Sequence, residues 1–143
     1  MAKPLTPALD AEQFAVSLDG NVTLRGYQGE VSEGTPLVLL HSINAAPSAM
    51  EIRPLFEHYR DKRPVMAPDL PGFGLSDRPA VSYSSVQYAR WIAEWLKDFK
   101  SPPDVVALSL TGEFVARAIL EQGTRIRSLT VISPTGMGTA SPP

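Results

Sequence analysis

One serine in this chain stands where its hydroxyl could serve as a nucleophile. The segment 104–108 is a charged residue, Asp104, followed by an apolar run. Residues 110–121 have the composition of a helix, and Ser109 lies between the two segments. A sharp turn from a strand into a helix places a hydroxyl beyond the end of a sheet. The amino end of the following helix stabilises negative charge beside that hydroxyl. The segment therefore indicates a candidate nucleophile elbow.

The composition excludes several other kinds of chemistry. The 143 residues are 43% hydrophobic and 20% charged, which is ordinary for one domain spanning residues 1–143. A net charge of −2 offers no basic surface for nucleic acid, and the N-terminus has no apolar targeting segment. The absence of cysteine excludes disulfides, thiolate catalysis and cysteine-bound zinc. We therefore expect a cytoplasmic protein with no nucleic-acid or membrane partner, no cofactor and no metal site.

Hydrophobic periodicity divides the chain into strands that alternate with helices. Asp19-Gly20-Asn21 separates two β-favouring runs and predicts a hairpin. The predicted strands are 13–18, 22–27, 36–41, 64–69, 104–108 and 126–133, and the predicted helices are 54–59, 84–99 and 110–121. A hairpin followed by this alternation indicates an open, largely parallel sheet with helices on both faces.

Polar side chains follow the predicted parallel strands. His41, Asp69 and Ser109 each end or follow such a strand, and residues 133–136 follow the last one. Because the carboxyl ends of parallel strands meet at one edge, and ligands bind at that edge in open α/β sheets, these residues mark the predicted site.

Three segments carry a family resemblance. They are residues 40–43 (LHSI), residues 67–79 (APDLPGFGLSDRP) and the junction at Ser109. In this order and spacing they resemble the α/β-hydrolase family, near its epoxide hydrolase, haloalkane dehalogenase and C–C hydrolase branch, over roughly residues 22–138. The resemblance implies a three-layer α/β/α fold with about six strands in the order 1-2-4-3-5-6, lacking the cap and the last strands.

The resemblance also implies roles for individual residues. Ser109 corresponds to the nucleophile, and the backbone N–H groups of Ile43 and Leu110 correspond to the donors of an oxyanion hole. His41 and Asp69 correspond to residues that brace loops. A serine in place of the aspartate nucleophile of some branches disfavours dehalogenation and epoxide opening.

Three residues replace glycines of the family pattern. Ser42 lies in the loop after the first parallel strand, and Ala107 and Thr111 flank Ser109 in what is otherwise G-x-S-x-G. Glycine relieves crowding around a strained serine backbone. The β-branched Thr111 is therefore expected to tilt the helix or narrow the site.

The serine lacks partners in the sequence that follows it. The family order is serine, acid, histidine, but the acids after Ser109 are Glu113 and Glu121, both in the predicted helix, and no histidine follows. We therefore expect the N-terminal portion of a serine-nucleophile hydrolase, inactive alone, whose complete form acts on a small ester or related compound. The alternative is a non-catalytic binding or interaction domain that keeps the sheet and has lost the triad.

The last predicted strand is a candidate surface for association. Residues 126–133 are rich in isoleucine, leucine and valine, and an exposed strand edge templates pairing with another chain. We expect self-association or a complementing chain at this strand, in addition to the small-molecule substrate of a complete enzyme.

Overall fold

The computed structural model describes residues 3–135, which form one sheet with helices packed against it. The strands are β1 (Glu12–Leu18), β2 (Val22–Gln28), β3 (Leu37–Leu40), β4 (Val65–Asp69), β5 (Asp104–Leu108) and β6 (Ser128–Ile132). The helices are α1 (Arg53–Tyr59), α2 (Ser85–Leu96) and α3 (Thr111–Gln122), and a 3₁₀ turn at Ala49–Ile52 precedes α1. The sequence pattern indicated every one of these elements except the 3₁₀ turn.

The strand order is β1-β2-β4-β3-β5-β6. β2 pairs antiparallel with both β1 and β4, whereas β4, β3, β5 and β6 are mutually parallel. The predicted α/β class and the predicted order 1-2-4-3-5-6 are therefore confirmed. Since each parallel strand is joined to the next by a helical crossover, the carboxyl ends of all four lie at the same edge.

The core lies on both faces of the sheet. One face is covered by α2 and α3, and the buried aromatic and aliphatic side chains of α2 are Tyr88, Trp91, Ile92, Trp95 and Leu96. The other face is covered by the 3₁₀ turn and α1, which bury Ile52 and Phe56. All four residues of β3 are buried, as expected for a central parallel strand covered on both sides.

The helix ends follow from local chemistry. The Ser84 hydroxyl accepts a hydrogen bond from the Gln87 N–H at 3.1 Å and so caps the amino end of α2. The helix ends at Leu96, three residues before the predicted end at position 99. Gly123 ends α3 in the left-handed region with φ of 67°, a conformation that glycine adopts without a steric cost. Within residues 3–135, none of the helices combines the length and the apolarity needed to cross a lipid bilayer.

An ion-pair cluster joins the amino ends of the strands. The largely buried carboxylate of Asp104 accepts hydrogen bonds from Arg127 at 2.8 and 2.9 Å and from Arg63 at 2.7 Å. It also accepts one from the Ser128 hydroxyl at 2.6 Å. Arg127, Ser128 and Arg63 hold the pKa of Asp104 well below its ordinary range. The cluster fixes β5 against β6 and against the turn before β4.

Candidate active site

Ser109 occupies a sharp turn between β5 and α3. Its φ is 52°, and the next residue, Leu110, already has helical angles of −58° and −27°. The Ser109 N–H donates to the Ile132 carbonyl of β6 at 2.8 Å, and its own carbonyl accepts from Gly112 at 3.1 Å. A left-handed conformation at a residue other than glycine costs on the order of 1 kcal/mol or more, so the surrounding bonds hold Ser109 in it. The sharp strand-to-helix turn predicted at this residue is therefore present.

Thr111 makes a specific contact beside this turn. Its side chain is fully buried, and its hydroxyl donates a 2.6 Å hydrogen bond to the carbonyl of His41 at the end of β3. The φ angle of Thr111 is not positive, so its backbone conformation does not require glycine. The sequence predicted only added bulk here, whereas the structure shows a bond from the first residue of α3 to the loop that carries Ile43.

Glycine is required at position 112, the residue after Thr111, because β6 lies close to it. A Cβ atom on Gly112 would lie 2.5 Å from a methyl group of Val131 on β6. The amino end of α3 therefore packs closer to the sheet than an alanine at this position allows. Ala107 is fully buried and pairs with Leu40 on β3 and Val131 on β6, so its methyl group lies in the sheet core.

His41 braces the loop and does not face the serine as a base. Its Nδ1 lies 2.7 Å from the Ser42 carbonyl, and its Nε2 accepts from the Leu70 N–H at 2.9 Å. This pair of bonds assigns the proton to Nδ1 of a neutral imidazole. Burial lowers the pKa of His41 below its ordinary value, although the Ser42 bond and the Asp69 charge oppose that shift. The predicted structural role is therefore supported, because both ring nitrogens are occupied.

The His41 bond also sets the direction of the Ile43 N–H. The Ser42 carbonyl and the Ile43 N–H belong to one planar trans peptide unit and point in opposite directions. Because the carbonyl is held by the imidazole, the N–H is turned away from it. Among the described residues, neither the Ile43 nor the Leu110 N–H donates to another protein group. Both are accordingly available to a ligand.

Ser42 stabilises this loop through its side chain. The hydroxyl donates to the Glu51 carboxylate at 2.7 Å and accepts from the Asn44 side-chain amide at 2.8 Å. The sequence analysis did not identify Glu51 or Asn44. The polar spacing of Ser42 and Asn44 in a loop of otherwise small residues was the available signal, since such side chains often bond locally.

Asp69 organises two backbone segments and is not positioned for catalysis. Its Oδ1 accepts from the Ala49 N–H at 2.8 Å, and its Oδ2 accepts from the Leu75 N–H at 2.9 Å. Gly74 has φ of 49°, and a Cβ there would lie 2.1 Å from the Asp69 carboxylate. The predicted structural role of Asp69 is supported by these contacts.

The remaining histidine lies on α1, whereas the segment after β6 begins next to the serine turn, because the Ser109 N–H bonds to the Ile132 carbonyl. His58 is exposed on α1, where its ring contacts Tyr59 at 4.7 Å between centroids. Ser133 follows β6 with φ of 51°, and residue 136 of the predicted segment lies outside the described residues. In the part of the chain that the structure describes, no group of three or more acidic or histidine side chains is arranged to hold a metal ion.

A cavity of about 620 Å³ reaches Leu110, the residue that follows Ser109, although Ser109 itself does not line it. Ile43 and Leu110, the two candidate oxyanion donors, both line it. The other lining residues are Gly72, Phe73, Arg78, Tyr83, Ser84, Ser85, Tyr88, Glu113 and Phe114. A larger cavity of about 700 Å³ lies between α2, the end of α3 and the turn that joins β1 to β2, and Ser109 does not line it. The smaller cavity is the better candidate for a substrate site, because both candidate oxyanion donors border it.

The fold and this edge of the sheet define an α/β protein with a serine on a strained strand-to-helix turn. A model of the alpha/beta hydrolase family matches residues 37–143, and the chain belongs to that family. It is 30% identical over 130 residues to the Mus musculus protein 1-acylglycerol-3-phosphate O-acyltransferase ABHD5. It is 28% identical over 122 residues to a haloalkane dehalogenase of Mycobacterium marinum.

Solved structures share the fold at low sequence identity. The serine hydrolase CarC of carbazole degradation superimposes with a TM-score of 0.76 at 19% identity over 90% of this chain and 50% of that one. A bacterial membrane phospholipase A gives a TM-score of 0.79 at 22% identity over 92% of this chain and 42% of that one. The ABHD5 match includes 87% of this chain but 36% of that relative. The dehalogenase match includes 75% of this chain but 38% of that relative. The chain therefore spans less than half the length of the relatives it matches.

Proposed function

We propose that this chain forms the nucleophile and oxyanion portion of a serine hydrolase that acts on a small ester or related compound. The observation that carries the proposal is the positive φ of Ser109 at the junction of β5 and α3. A residue other than glycine is held in this conformation where a side chain must project from the end of a sheet. The adjoining cavity and two unoccupied N–H groups support the same interpretation.

The geometry suggests how the first step proceeds. The Ser109 oxygen attacks the ester carbonyl carbon, and negative charge develops on the carbonyl oxygen. The N–H groups of Ile43 and Leu110 stabilise that charge, as does the amino end of α3. The alcohol then leaves with a proton, and the acyl group remains on the serine until water removes it. The base that takes the serine proton comes from outside these 143 residues, because both nitrogens of His41 are occupied.

The relatives are consistent with acyl chemistry. One is named an O-acyltransferase and one structural neighbour is titled a serine hydrolase. The serine at position 109 separates this chain from branches of the family that use an aspartate nucleophile. For that reason we favour acyl transfer to water over dehalogenation. A cytoplasmic location stays a prediction of the sequence.

The second candidate is a non-catalytic binding domain. One observation favours it: both ring nitrogens of His41 are occupied by backbone groups, and the other histidine, His58, is exposed on α1. In this alternative the sheet and cavity persist as a ligand-binding scaffold, and the serine hydroxyl serves only as a polar group at the cavity edge.

Labelling of the native protein distinguishes the two candidates. The protein is purified from its source, its intact mass is measured, and it is treated with a fluorophosphonate that reacts with activated serines. The hydrolase proposal expects saturable labelling at Ser109 that is lost in Ser109→Ala and retained in Ser133→Ala. Ser133 is a matched control, since it also follows a strand with positive φ. An unlabelled Ser109 in the intact native protein would favour the binding domain.

A further inference from the structure

We propose that the cavity bordered by Ile43 and Leu110 binds a small aromatic carboxylate, with its ring against an aromatic wall and its carboxylate at Arg78. The inference concerns the class of ligand that the proposed hydrolase site binds. It rests on the proposed function in one respect, since the ligand would form part of the ester substrate. Binding itself needs neither a base nor a reactive serine.

The wall of the cavity is built from packed aromatic rings. Tyr88 stacks on Phe114 with centroids 4.9 Å apart and planes 6° from parallel. Phe73 and Tyr83 lie 6.4 and 6.1 Å from the same Tyr88 ring. Tyr88 and Phe114 are only 4% and 3% exposed, so the rings that a ligand can reach are those of Tyr83 and, in part, Phe73. Such fixed rings favour the offset-stacked or edge-on contacts of another aromatic ring.

Two hydrogen bonds hold this wall in place. The buried Tyr88 hydroxyl donates to the Pro71 carbonyl at 2.9 Å, and burial raises the pKa of Tyr88 so that it stays neutral. Tyr83 is 43% exposed, yet its hydroxyl donates to the Pro79 carbonyl at 2.7 Å. An exposed aromatic ring that is anchored at its polar end leaves its apolar face toward the cavity. A ligand therefore meets a preformed surface, which lowers the entropic cost of binding.

The charge of the cavity favours an anion. Arg78 is exposed, and its guanidinium donates to the carbonyls of Gly74 at 3.1 Å and Ser76 at 3.4 Å. Within residues 3–135 it forms no ion pair with a carboxylate. Glu113, the other charged residue of the lining, pairs at 3.3 Å with Arg117, which Glu121 shares at 2.8 Å. The guanidinium thus keeps donors for a carboxylate, which it binds in bidentate fashion.

The size of the cavity fits a ligand of this class. A volume of about 620 Å³ lies within the range of small-molecule sites and exceeds the need of a single ring with a short acid chain. The remaining space borders Ile43 and Leu110, where the carbonyl of an ester would lie. An ester that carries an aromatic ring and a separate carboxylate is the substrate class that follows.

Calorimetric titration with three matched probes tests the inference. The probes are 3-phenylpropionate, its neutral amide, and 3-cyclohexylpropionate, which keeps the charge but loses the aromatic ring. The native protein and the 143-residue chain are both titrated. We expect 3-phenylpropionate to bind about tenfold tighter than either analogue, given the strength of charge-assisted and aromatic contacts. Equal affinity for the three probes, or no saturable binding, would overturn the inference.

Two variants test the carboxylate contact and the aromatic contact separately. Arg78→Gln should weaken 3-phenylpropionate binding about tenfold and leave amide binding unchanged, whereas Arg53→Gln, an exposed arginine on α1, should change neither. Tyr83→Leu should reduce the preference for the aromatic ring over the cyclohexyl ring. An Arg78→Gln protein that binds the carboxylate as the parent does would refute the charge assignment.

The outcome is separable from that of the proposed hydrolysis. Binding without fluorophosphonate labelling would uphold this inference and defeat the hydrolase proposal. Labelling without selective binding would do the reverse.

Discussion

Thr111 connects the two halves of the candidate oxyanion site. It immediately follows Leu110, and its hydroxyl bonds to the carbonyl of His41, two residues before Ile43. The imidazole of His41 in turn holds the Ser42 carbonyl. The separation of the Ile43 and Leu110 N–H groups therefore depends on side-chain bonds as well as on backbone geometry.

Removal of the Thr111 hydroxyl should destabilise the fold. Thr111→Val keeps the shape but leaves the buried His41 carbonyl without its donor, which costs about 1–2 kcal/mol of unfolding free energy. Chemical denaturation measures the loss. Thr130→Val, at an exposed position of β6, is the control and should change stability by no more than about 0.5 kcal/mol. Equal stabilities for both variants would show that the buried bond contributes nothing net.

The 143-residue chain should show no esterase activity of its own. Serine is a poor nucleophile without a base, and the loss of a triad member leaves at most roughly 10³–10⁴-fold acceleration over water. Turnover of p-nitrophenyl acetate should equal that of a protein blank, and Ser109→Ala should not alter it. Saturable turnover abolished by Ser109→Ala would contradict this and would implicate His41 as a recruited base.

The Asp104 cluster couples three elements at the amino edge of the sheet. The carboxylate lies at the start of β5, Arg127 and Ser128 lie at the start of β6, and Arg63 precedes β4. Strand order is thereby reinforced by charge as well as by the backbone ladder. Because several donors share one largely buried carboxylate, the charge cannot be removed without leaving unpaired cations.

Asp104→Asn should therefore lower the unfolding free energy by about 2 kcal/mol, since charge-assisted hydrogen bonds to a buried group are lost. Asp61→Asn is the matched control: its partner Lys62 and its own side chain are mostly exposed, so little change is expected. Urea unfolding at neutral pH compares the two. A smaller effect at position 104 than at position 61 would refute the structural role of the cluster.

The same variant should change the response to acid. The folded-state pKa of Asp104 is lowered from 3.8, so its contribution to stability is fully present above that value and is lost as the pH falls below it toward the folded-state pKa. The stability difference between parent and Asp104→Asn should be constant from pH 7 to about pH 5 and shrink below pH 3.8. Unfolding free energies across this range provide the measurement. A difference that grew with acidification would have the wrong sign.

The sheet as a whole ends in β6, which pairs with β5 on one side. Among the described residues no strand pairs with its other side, and Ile132 is 42% exposed. We propose this edge as the surface where a second copy or a complementing chain adds a strand. The chain spans 50% of the CarC structure, with which it shares the fold.

The purified 143-residue chain should self-associate through this edge. Sedimentation velocity at rising protein concentration should show species larger than a monomer. Thr130→Lys, which adds a charge to the strand, should shift the distribution toward monomer. Gln122→Lys adds the same charge at the exposed end of α3 and should not. A strict monomer at high concentration would contradict the prediction.

The type and order of the elements were predictable from the sequence because they depend on local patterns. The buried face of α2, the glycine that ends α3 and the apolar strands are short-range signals, and the alternation of elements restricts the topology. The pattern of an apolar strand followed by a helix likewise predicted that Ser109 lies at the carboxyl edge of the sheet. The family resemblance supplied the strand order, which local patterns alone do not specify.

Tertiary structure decided how the site is held together. The bond from Thr111 to His41 joins residues 70 positions apart, and Asp104 bonds to Arg63 across 41 positions. The cavity wall likewise combines rings from α2, α3 and the loop before α2. Such contacts arise only once the sheet brings distant segments within hydrogen-bonding distance, and no local pattern of residues encodes them. The sequence by itself determined where the serine lies, and the packing of the folded chain determined which groups surround it.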